Sequence, residues 1–255
     1  MLTDERLHRI LETLEKNGQV KSKSLAHDLQ VSEVTVRNDL SLLEERGLLR
    51  RVHGGAVHVE TKIFDPTFQE QKAIDKDEKK EIAQKMAVLV EKNDVIYVDS
   101  GSSTLFFIER LIENPPLNLT VVTSSLYVIN EVVQGQNVNL FVIGGEFRKN
   151  SFNFIDAGVF PLVEKYSVNK IILGINGLDE NGIYASNLLE ANVKAELCKM
   201  DAQLFVLASS SKLFRKSLRL ISTWRGTETI VTSTTALEQE PRLRELQRER
   251  KVDIV

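Results

Sequence analysis

The run Ser32-Glu33-Val34-Thr35-Val36-Arg37-Asn38-Asp39-Leu40, closed by Glu44-Glu45-Arg46-Gly47, constrains this chain more than any other stretch. Ser32 stands three residues before Thr35, the spacing at which a serine hydroxyl accepts a bond from an otherwise unpaired helix amide. Gly47 supplies the left-handed residue that ends a helix. The pattern predicts a helix over 33–46. Val36, Leu40 and Leu43 recur at i, i+4 and i+7 as one buried stripe, which leaves Glu33, Thr35, Arg37, Asn38 and Ser41 facing outward near the helix start. Leu48-Leu49-Arg50-Arg51-Val52-His53-Gly54-Gly55-Ala56 follows at once and predicts a basic hairpin, with strands over 48–53 and 56–59.

Upstream, Leu7, Ile10, Leu11 and Leu14 mark a first amphipathic helix that ends before Asn17-Gly18. Leu25, Ala26 and Leu29 mark a short second one capped by Ser22 or Ser24, and Gln30-Val31 is the turn. Three helices, the last two tightly joined, with a two-stranded wing, make a winged helix-turn-helix. The side chains placed to meet DNA are Ser32, Glu33, Thr35, Arg37, Asn38 and Ser41 on the reading helix, Arg50, Arg51 and His53 on the wing, and Lys21, Ser22 and Lys23 beside them. Residues 1–59 carry equal numbers of acidic and basic side chains, so local distribution matters more than the total. Lys16, Lys21 and Lys23 form one acid-free run and Arg46, Arg50, Arg51 and His53 another, two patches suited to phosphates. The plainer alternative is a small interaction module whose arginines sit on a solvated face.

Residues 20–56, with Leu25-Ala26, Val31-Ser32, Thr35-Val36-Arg37, Asp39-Leu40, Leu43-Glu44, Gly47 and His53-Gly54-Gly55-Ala56, resemble the DNA-binding half of the DeoR family of bacterial regulators. One departure stands at Asn38, where the family usually has a second basic residue.

The 255 residues, 42% of them hydrophobic, suffice for one small core and one sizeable one, and the net charge of −3 excludes a broadly basic nucleic-acid coat. Domains are expected over 1–59 and 78–255. Residues 60–77, with Asp65-Pro66 and dense charge, form the expected linker. The lone Cys198 allows no intramolecular disulfide, no run approaches a membrane span, and Leu2-Thr3-Asp4-Glu5 has no signal-peptide character. The expectation is a soluble, cytoplasmic protein. Its four histidines form no recognisable metal site, and no cofactor is implied.

From Lys79 onward helical and strand-like patterns alternate. Strands are predicted over 95–98, 119–122, 138–143, 170–173, 204–207 and 229–231, which implies an α/β domain with a largely parallel sheet covered on both faces. The loops after these strands are rich in small residues: Asp99-Ser100-Gly101-Ser102-Ser103-Thr104, Thr123-Ser124-Ser125, Gly144-Gly145, Gly174-Ile175-Asn176-Gly177 and Ser209-Ser210-Ser211-Lys212. Hydroxyl residues and glycine at a strand-to-helix turn expose backbone amides to an anion, and strand carboxyl ends are where open α/β sheets bind ligands. Arg148, Lys194 and Lys212 are the cations expected near it.

Residues 99–104, 119–123, 143–145 and 174–179, with Gly182, Lys194 and Ser210-Ser211-Lys212, resemble the effector domain of the same family, itself similar in fold to ribose-5-phosphate isomerase. The resemblance implies a phosphorylated sugar or related metabolite as ligand, operator DNA as partner, and metabolite control of DNA affinity, most simply in a repressor. Ser124 stands where the family usually has Asn, and Asp156 where it usually has Gly. A homo-oligomer, dimer or tetramer, is expected because one short reading helix covers one half-site. The rival is an isomerase-like enzyme with a DNA-binding appendage. Asp99, Asp179 and Glu190 are available carboxylates, but the lysine motif and paired aspartates of such an active site are not reproduced.

Overall fold

The computed structural model describes residues 3–17, 19–45, 49–52, 54–57, 68–155 and 163–255. The chain divides into two compact units, Met1–Phe64 and Asp65–Val255.

The N-terminal unit runs α1 (Thr3–Asn17), β1 (Gln19–Lys21), α2 (Ser22–Asp28), α3 (Glu33–Glu45), β2 (Arg50–Val52) and β3 (Gly55–Val57). Leu7, Ile10 and Leu14 of α1 meet Leu25 and Ala26 of α2 and Val36, Leu40 and Leu43 of α3 in one small core. All three predicted stripes therefore point where their periods require, with Leu11 partly buried at the edge. The sheet has three strands, β1-β3-β2, one more than the hairpin pattern predicts. Three residues at Gln19–Lys21 are too short to show an alternation, and their signal lies instead in Gly55. A Cβ there would stand 2.0 Å from the carbonyl oxygen of Val20. The expected cap of α2 differs too, since Lys21 takes the N-cap position with no side-chain bond and Ser22 lies inside the helix. Arg46, Gly47, Leu48, His53 and residues 58–59, parts of the predicted helix end and wing, lie outside the described residues.

The C-terminal unit opens with α4 (Phe68–Ala73) and α5 (Lys76–Ala87), which fall partly in the stretch whose charge predicts a linker. Then come β4 (Val95–Val98), α6 (Ser102–Ile112), β5 (Leu119–Thr123), α7 (Leu126–Gln134) and β6 (Val138–Val142), followed by a hairpin of β7 (Glu146–Arg148) and β8 (Asn153–Ile155). After β9 (Lys170–Gly174) come β10 (Gly177–Asp179), β11 (Gly182–Ala185), the helix Leu188–Leu197, β12 (Gln203–Leu207), β13 (Arg219–Thr223), β14 (Glu228–Val231), the helices Thr234–Gln239 and Arg242–Arg250, and β15 (Asp253–Ile254).

Seven strands form one sheet in the order β15-β14-β12-β9-β4-β5-β6, with every neighbouring pair parallel. Alternate residues feed opposite faces. Tyr97, Ile171, Leu173, Leu204, Val206 and Ile230 join one core, and Ile96, Val98, Ile172, Phe205, Leu207 and Val231 the other. Burial on both faces explains why these strands read as continuous apolar runs. The chain builds β4, β5 and β6 outward in one direction, then returns to β4's other side at β9 and builds outward again. The crevice between β4 and β9 is the topological switch point, where open α/β sheets bind ligands.

Candidate functional site

The reading helix is held by two contacts. The Thr35 amide donates to Ser32 Oγ at 3.0 Å, the predicted cap, and the two hydroxyls lie 2.8 Å apart. Arg6 on α1 reaches the buried Asp39 carboxylate through Nη2 at 2.9 Å as well as through Nε, which pins α1 to α3 and raises the Arg6 pKa above its ordinary value through that hydrogen bond. With the stripe buried, Glu33, Arg37 and Asn38 stand exposed, and among the described residues Arg37 pairs with Glu33 alone, at 3.4 Å. Val34 is exposed as well, an apolar side chain among polar ones. Its position off the stripe was the available signal, and a valine there can meet a thymine methyl in a major groove.

Ser41 differs from its expected role. Its hydroxyl donates to the Arg37 carbonyl at 2.9 Å and accepts from Arg51 Nη1 at 2.7 Å, while the Arg51 amide donates to Glu44 Oε1 at 2.8 Å. Ser41 thus docks a wing arginine on the reading helix. Ser22 is buried and its amide donates to the Gly54 carbonyl at 2.9 Å, so it stitches α2 to the wing while its neighbours Lys21 and Lys23 are exposed. Arg50 lies on β2, its side chain outside what the structure describes, as is His53.

In the C-terminal unit a cavity lies at the switch point. Its wall combines Ser100, Gly101, Ser102 and Ser103 after β4, Gly174, Ile175 and Asn176 after β9, Glu190 and Lys194, and Lys212 after β12. Phe68, Gln71, Ile74 and Lys79 from α4, α5 and their joint, with Asn150 and Ser151 from the β7–β8 hairpin, complete it. The first bond within α6 runs from the Leu105 amide to the Gly101 carbonyl at 3.0 Å, so the amides of Ser102, Ser103 and Thr104 precede it at a helix N-terminus. Ser100 Oγ is buried without a hydrogen-bond partner.

Two lysines face this cavity without a direct ion pair among the described residues, with the Asp75 carboxylate acting on both through space. Lys212 sits in a 3₁₀ turn, Ser210–Lys212, fixed by Glu78, which accepts from the Ser210 amide at 2.9 Å and from Ser233 Oγ at 2.7 Å. Burial pushes its pKa below the usual lysine value. Lys79 is 2% exposed, and its ammonium donates to the carbonyls of Gln71 and Ile74. Burial, then repulsion from Lys212, lowers its pKa to about 8. Nearby Asp75 stays below the ordinary carboxylate range despite burial, held by bonds from Ser211 and Ser209.

Lys194 behaves differently. Its ammonium lies 2.7 Å from Asp99 Oδ2 and donates to the Gly174 carbonyl at 2.6 Å, and the Gly174 amide donates to the same Asp99 oxygen. This buried pair holds β4 to β9. Burial works against the Lys194 charge, but Asp99 and Glu190 raise its pKa on balance. Glu190 in turn bonds Arg148 at 2.7 Å, and burial raises its carboxyl above the ordinary range.

Of the residues predicted for the ligand, Ser100, Gly101, Ser102, Ser103, Lys194 and Lys212 line the cavity. Several do not, each for a structural reason. Asp99 lies beneath it, paired as above. Thr104 Oγ1 donates to the Asp99 carbonyl at 2.7 Å and accepts from the Gly101 amide at 2.8 Å, which shapes the loop. Thr123 Oγ1 donates to the Val98 carbonyl, Ser124 contacts the Tyr97 hydroxyl at 3.3 Å, and Ser125 caps α7. Gly144 and Gly145 are exposed beyond β6, and Arg148 is on the hairpin with Glu190. Ser211 faces Ser209 at 3.5 Å, and Gly177 is required because a Cβ would stand 2.2 Å from the Arg215 carbonyl oxygen. Asp156 lies outside the described residues.

Phe68, Gln71, Ile74, Lys79, Asn150 and Ser151 are wall residues that sequence reasoning did not select, and Gly174, Ile175, Asn176 and Glu190 were noted there but not chosen as ligand residues. Lys79 had a signal, because it continues the stripe Ile82, Ala83, Met86 toward the N-terminus of α5. A lysine on a buried stripe needs an explanation.

Comparison with known proteins gives residues 6–62 as a match to the DeoR-like helix-turn-helix domain and residues 74–234 as a match to the DeoR C terminal sensor domain. The L-fucose operon activator of Haemophilus influenzae is 34% identical over 210 residues, 82% of this chain and 83% of that one. A putative aga operon transcriptional repressor of Escherichia coli O157:H7 is 30% identical over 227 residues, covering 88% and 84%. Among solved structures, ribose 5-phosphate isomerase A from Methanocaldococcus jannaschii is 18% identical, with 54% of each chain covered and a TM-score of 0.38.

Proposed function

We propose, for a chain that belongs to the DeoR family of transcriptional regulators, that the cavity between β4 and β9 binds a phosphorylated sugar or similar anionic metabolite and thereby lowers affinity for operator DNA. The chain is a DNA-binding transcriptional regulator of that family. The observation that carries the ligand assignment is the convergence on one cavity of a helix N-terminus, the Ser100 hydroxyl, unpartnered among the described residues, and two lysines, Lys79 and Lys212, that share the field of Asp75 but form no direct ion pair among the described residues. Such a site favours a compact dianion. Asn150, Asn176 and Glu190 offer polar groups for sugar hydroxyls.

The regulator acts as a repressor of a carbohydrate operon, released by its ligand, and works as a homo-oligomer that presents two reading helices to two half-sites. Arg37, Asn38, Thr35 and Val34 meet base edges, while Lys21, Lys23, Arg50 and Arg51 meet phosphates. Binding occurs without turnover. Isomerisation needs a carboxylate free to shuttle a proton, and Asp99 is neutralised by Lys194 and the wall residue Glu190 is tied to Arg148, while Asp179 accepts from the Tyr184 hydroxyl and the Asn181 amide away from the cavity wall. The test is a thermal-shift screen of sugar phosphates followed by operator titrations with wild type and Lys212→Ala. A stabilising sugar phosphate that releases wild-type protein from operator, and has little effect on the variant at the same concentration, supports the reading. Equal release of both proteins puts the anion elsewhere.

A further inference from the structure

We propose that α4 is a latch that competes with the bound anion for the same donors, so that filling the cavity loosens α4. The inference rests on the anion-site reading above and adds the element that responds. The Gln71 carbonyl at the end of α4 accepts from two groups at once, Lys79 Nζ and, at 3.2 Å, Ser102 Oγ. The Ile74 carbonyl just beyond accepts from Lys79 as well. Both donors line the cavity, as do Gln71 and Ile74 themselves. A hydroxyl has one proton to donate, so Ser102 cannot serve the Gln71 carbonyl and an anion together. A bond from Ser102 to a dianion is charge-assisted and about twice as strong as one to a neutral carbonyl, so the anion wins. The Lys79 ammonium has three protons and gives these carbonyls two, so an anion draws it by charge rather than by taking a proton from them.

Among the cavity walls, α4 is the one held by the donors the ligand claims. Its other end starts at Phe68, stacked on Tyr127 at 4.1 Å, with its amide donating to the Asn150 carbonyl at 3.2 Å. Residues 58–67 join Phe68 to wing strand β3 along the chain. A displaced α4 is thus a covalent route from the ligand to the DNA-binding unit.

Amide hydrogen exchange on the full chain, with and without inorganic phosphate, reads both ends of this competition. Phosphate should slow exchange at 102–105 and speed it at 68–75 by roughly tenfold or more, the weight of one hydrogen bond to a charged group. Lys79→Met should speed exchange at 68–75 without phosphate while β9 keeps its protection. Slower exchange at 102–105 with 68–75 unchanged or slower overturns the latch and leaves the anion site standing. No response at either stretch overturns both. Protection at 68–75 that survives in Lys79→Met also overturns the latch, and if that variant fails to fold the wild-type comparison decides alone.

Discussion

In the reading helix the Arg37 side chain is 60% exposed and its one ion pair among the described residues is with Glu33, whereas in the C-terminal unit Lys79 is 2% exposed and donates to two carbonyls. The first cation contributes little to its own fold and is free for a partner. The second is part of the fold and of the site together. The contrast extends to their neighbours: among the described wing contacts Arg51 is docked at the surface, while Lys194 and Asp99 are both buried and join two central strands. A surface that binds a large polyanion can leave its cations in water. A cavity that binds a small anion must carry charge into a place where charge is costly, and it balances that cost with carbonyls, hydroxyls and a helix end.

The sharpest way to break this comparison is to remove one member of the buried pair. Asp99→Ala leaves the Lys194 ammonium buried without its carboxylate and should cost about 3–5 kcal/mol of stability in urea denaturation. A loss below about 1 kcal/mol would show that the pair is not structural. Arg37→Ala should do the reverse. Stability should stay within about 0.5 kcal/mol, while operator affinity in a binding titration falls by roughly 1–3 kcal/mol if the guanidinium meets a base edge. Unchanged operator affinity takes Arg37 out of the interface.

The pH dependence of anion binding sharpens the contrast further. With its folded pKa lowered to about 8, Lys79 is charged at a cost below that pH, and the cost disappears as pH rises toward its ordinary value. A bound dianion favours the charged form and so raises the pKa. Above about pH 8 binding must therefore take up a proton, and phosphate affinity should fall by up to about tenfold per pH unit. Lys212, also lowered by burial, and Asp75 and Glu78 share this field, so Lys79→Met should flatten the profile without abolishing it. Calorimetric titrations from neutral pH upward measure it, and an unaltered profile in the variant contradicts the assignment. The smallest expected effect lies at the helix cap. Ser32→Ala should cost about 1 kcal/mol in the N-terminal unit by chemical denaturation, because the Thr35 amide loses its partner.

The same contrast explains what could be read from the sequence. In the N-terminal unit the expected reading surface is one short helix, and period and cap together placed Ser32, Arg37 and Asn38 on its exposed side with Thr35 partly exposed. Ser22 and Ser41 also meet other segments, Ser22 through its amide to the Gly54 carbonyl and Ser41 through its hydroxyl to Arg51, which no local pattern records. In the C-terminal unit the strands were legible as apolar runs and the Ser100–Ser103 loop as a strand-to-helix turn. Which loops converge depends on strand order, and order is set by long-range packing that no local pattern records. Strand β6 is at the sheet edge, so Gly144 and Gly145 end far along the order from the β4–β9 crevice. Lys79 was hidden in the run Lys76-Asp77-Glu78-Lys79-Lys80, which reads as a solvated face until its place on the Ile82–Met86 stripe is noticed.

The central claim, that the β4–β9 cavity controls DNA affinity, is tested most directly by measuring one coupling from both sides. A sugar phosphate taken from the stability screen is titrated with and without operator, and operator is titrated with and without that sugar phosphate. The account predicts that each weakens the other by the same factor, about 5- to 150-fold for an ordinary coupling of roughly 1–3 kcal/mol. It also predicts that Lys212→Ala reduces the effect of a given sugar phosphate concentration on operator binding. Tight binding of the sugar phosphate with a factor of one in both directions would contradict it.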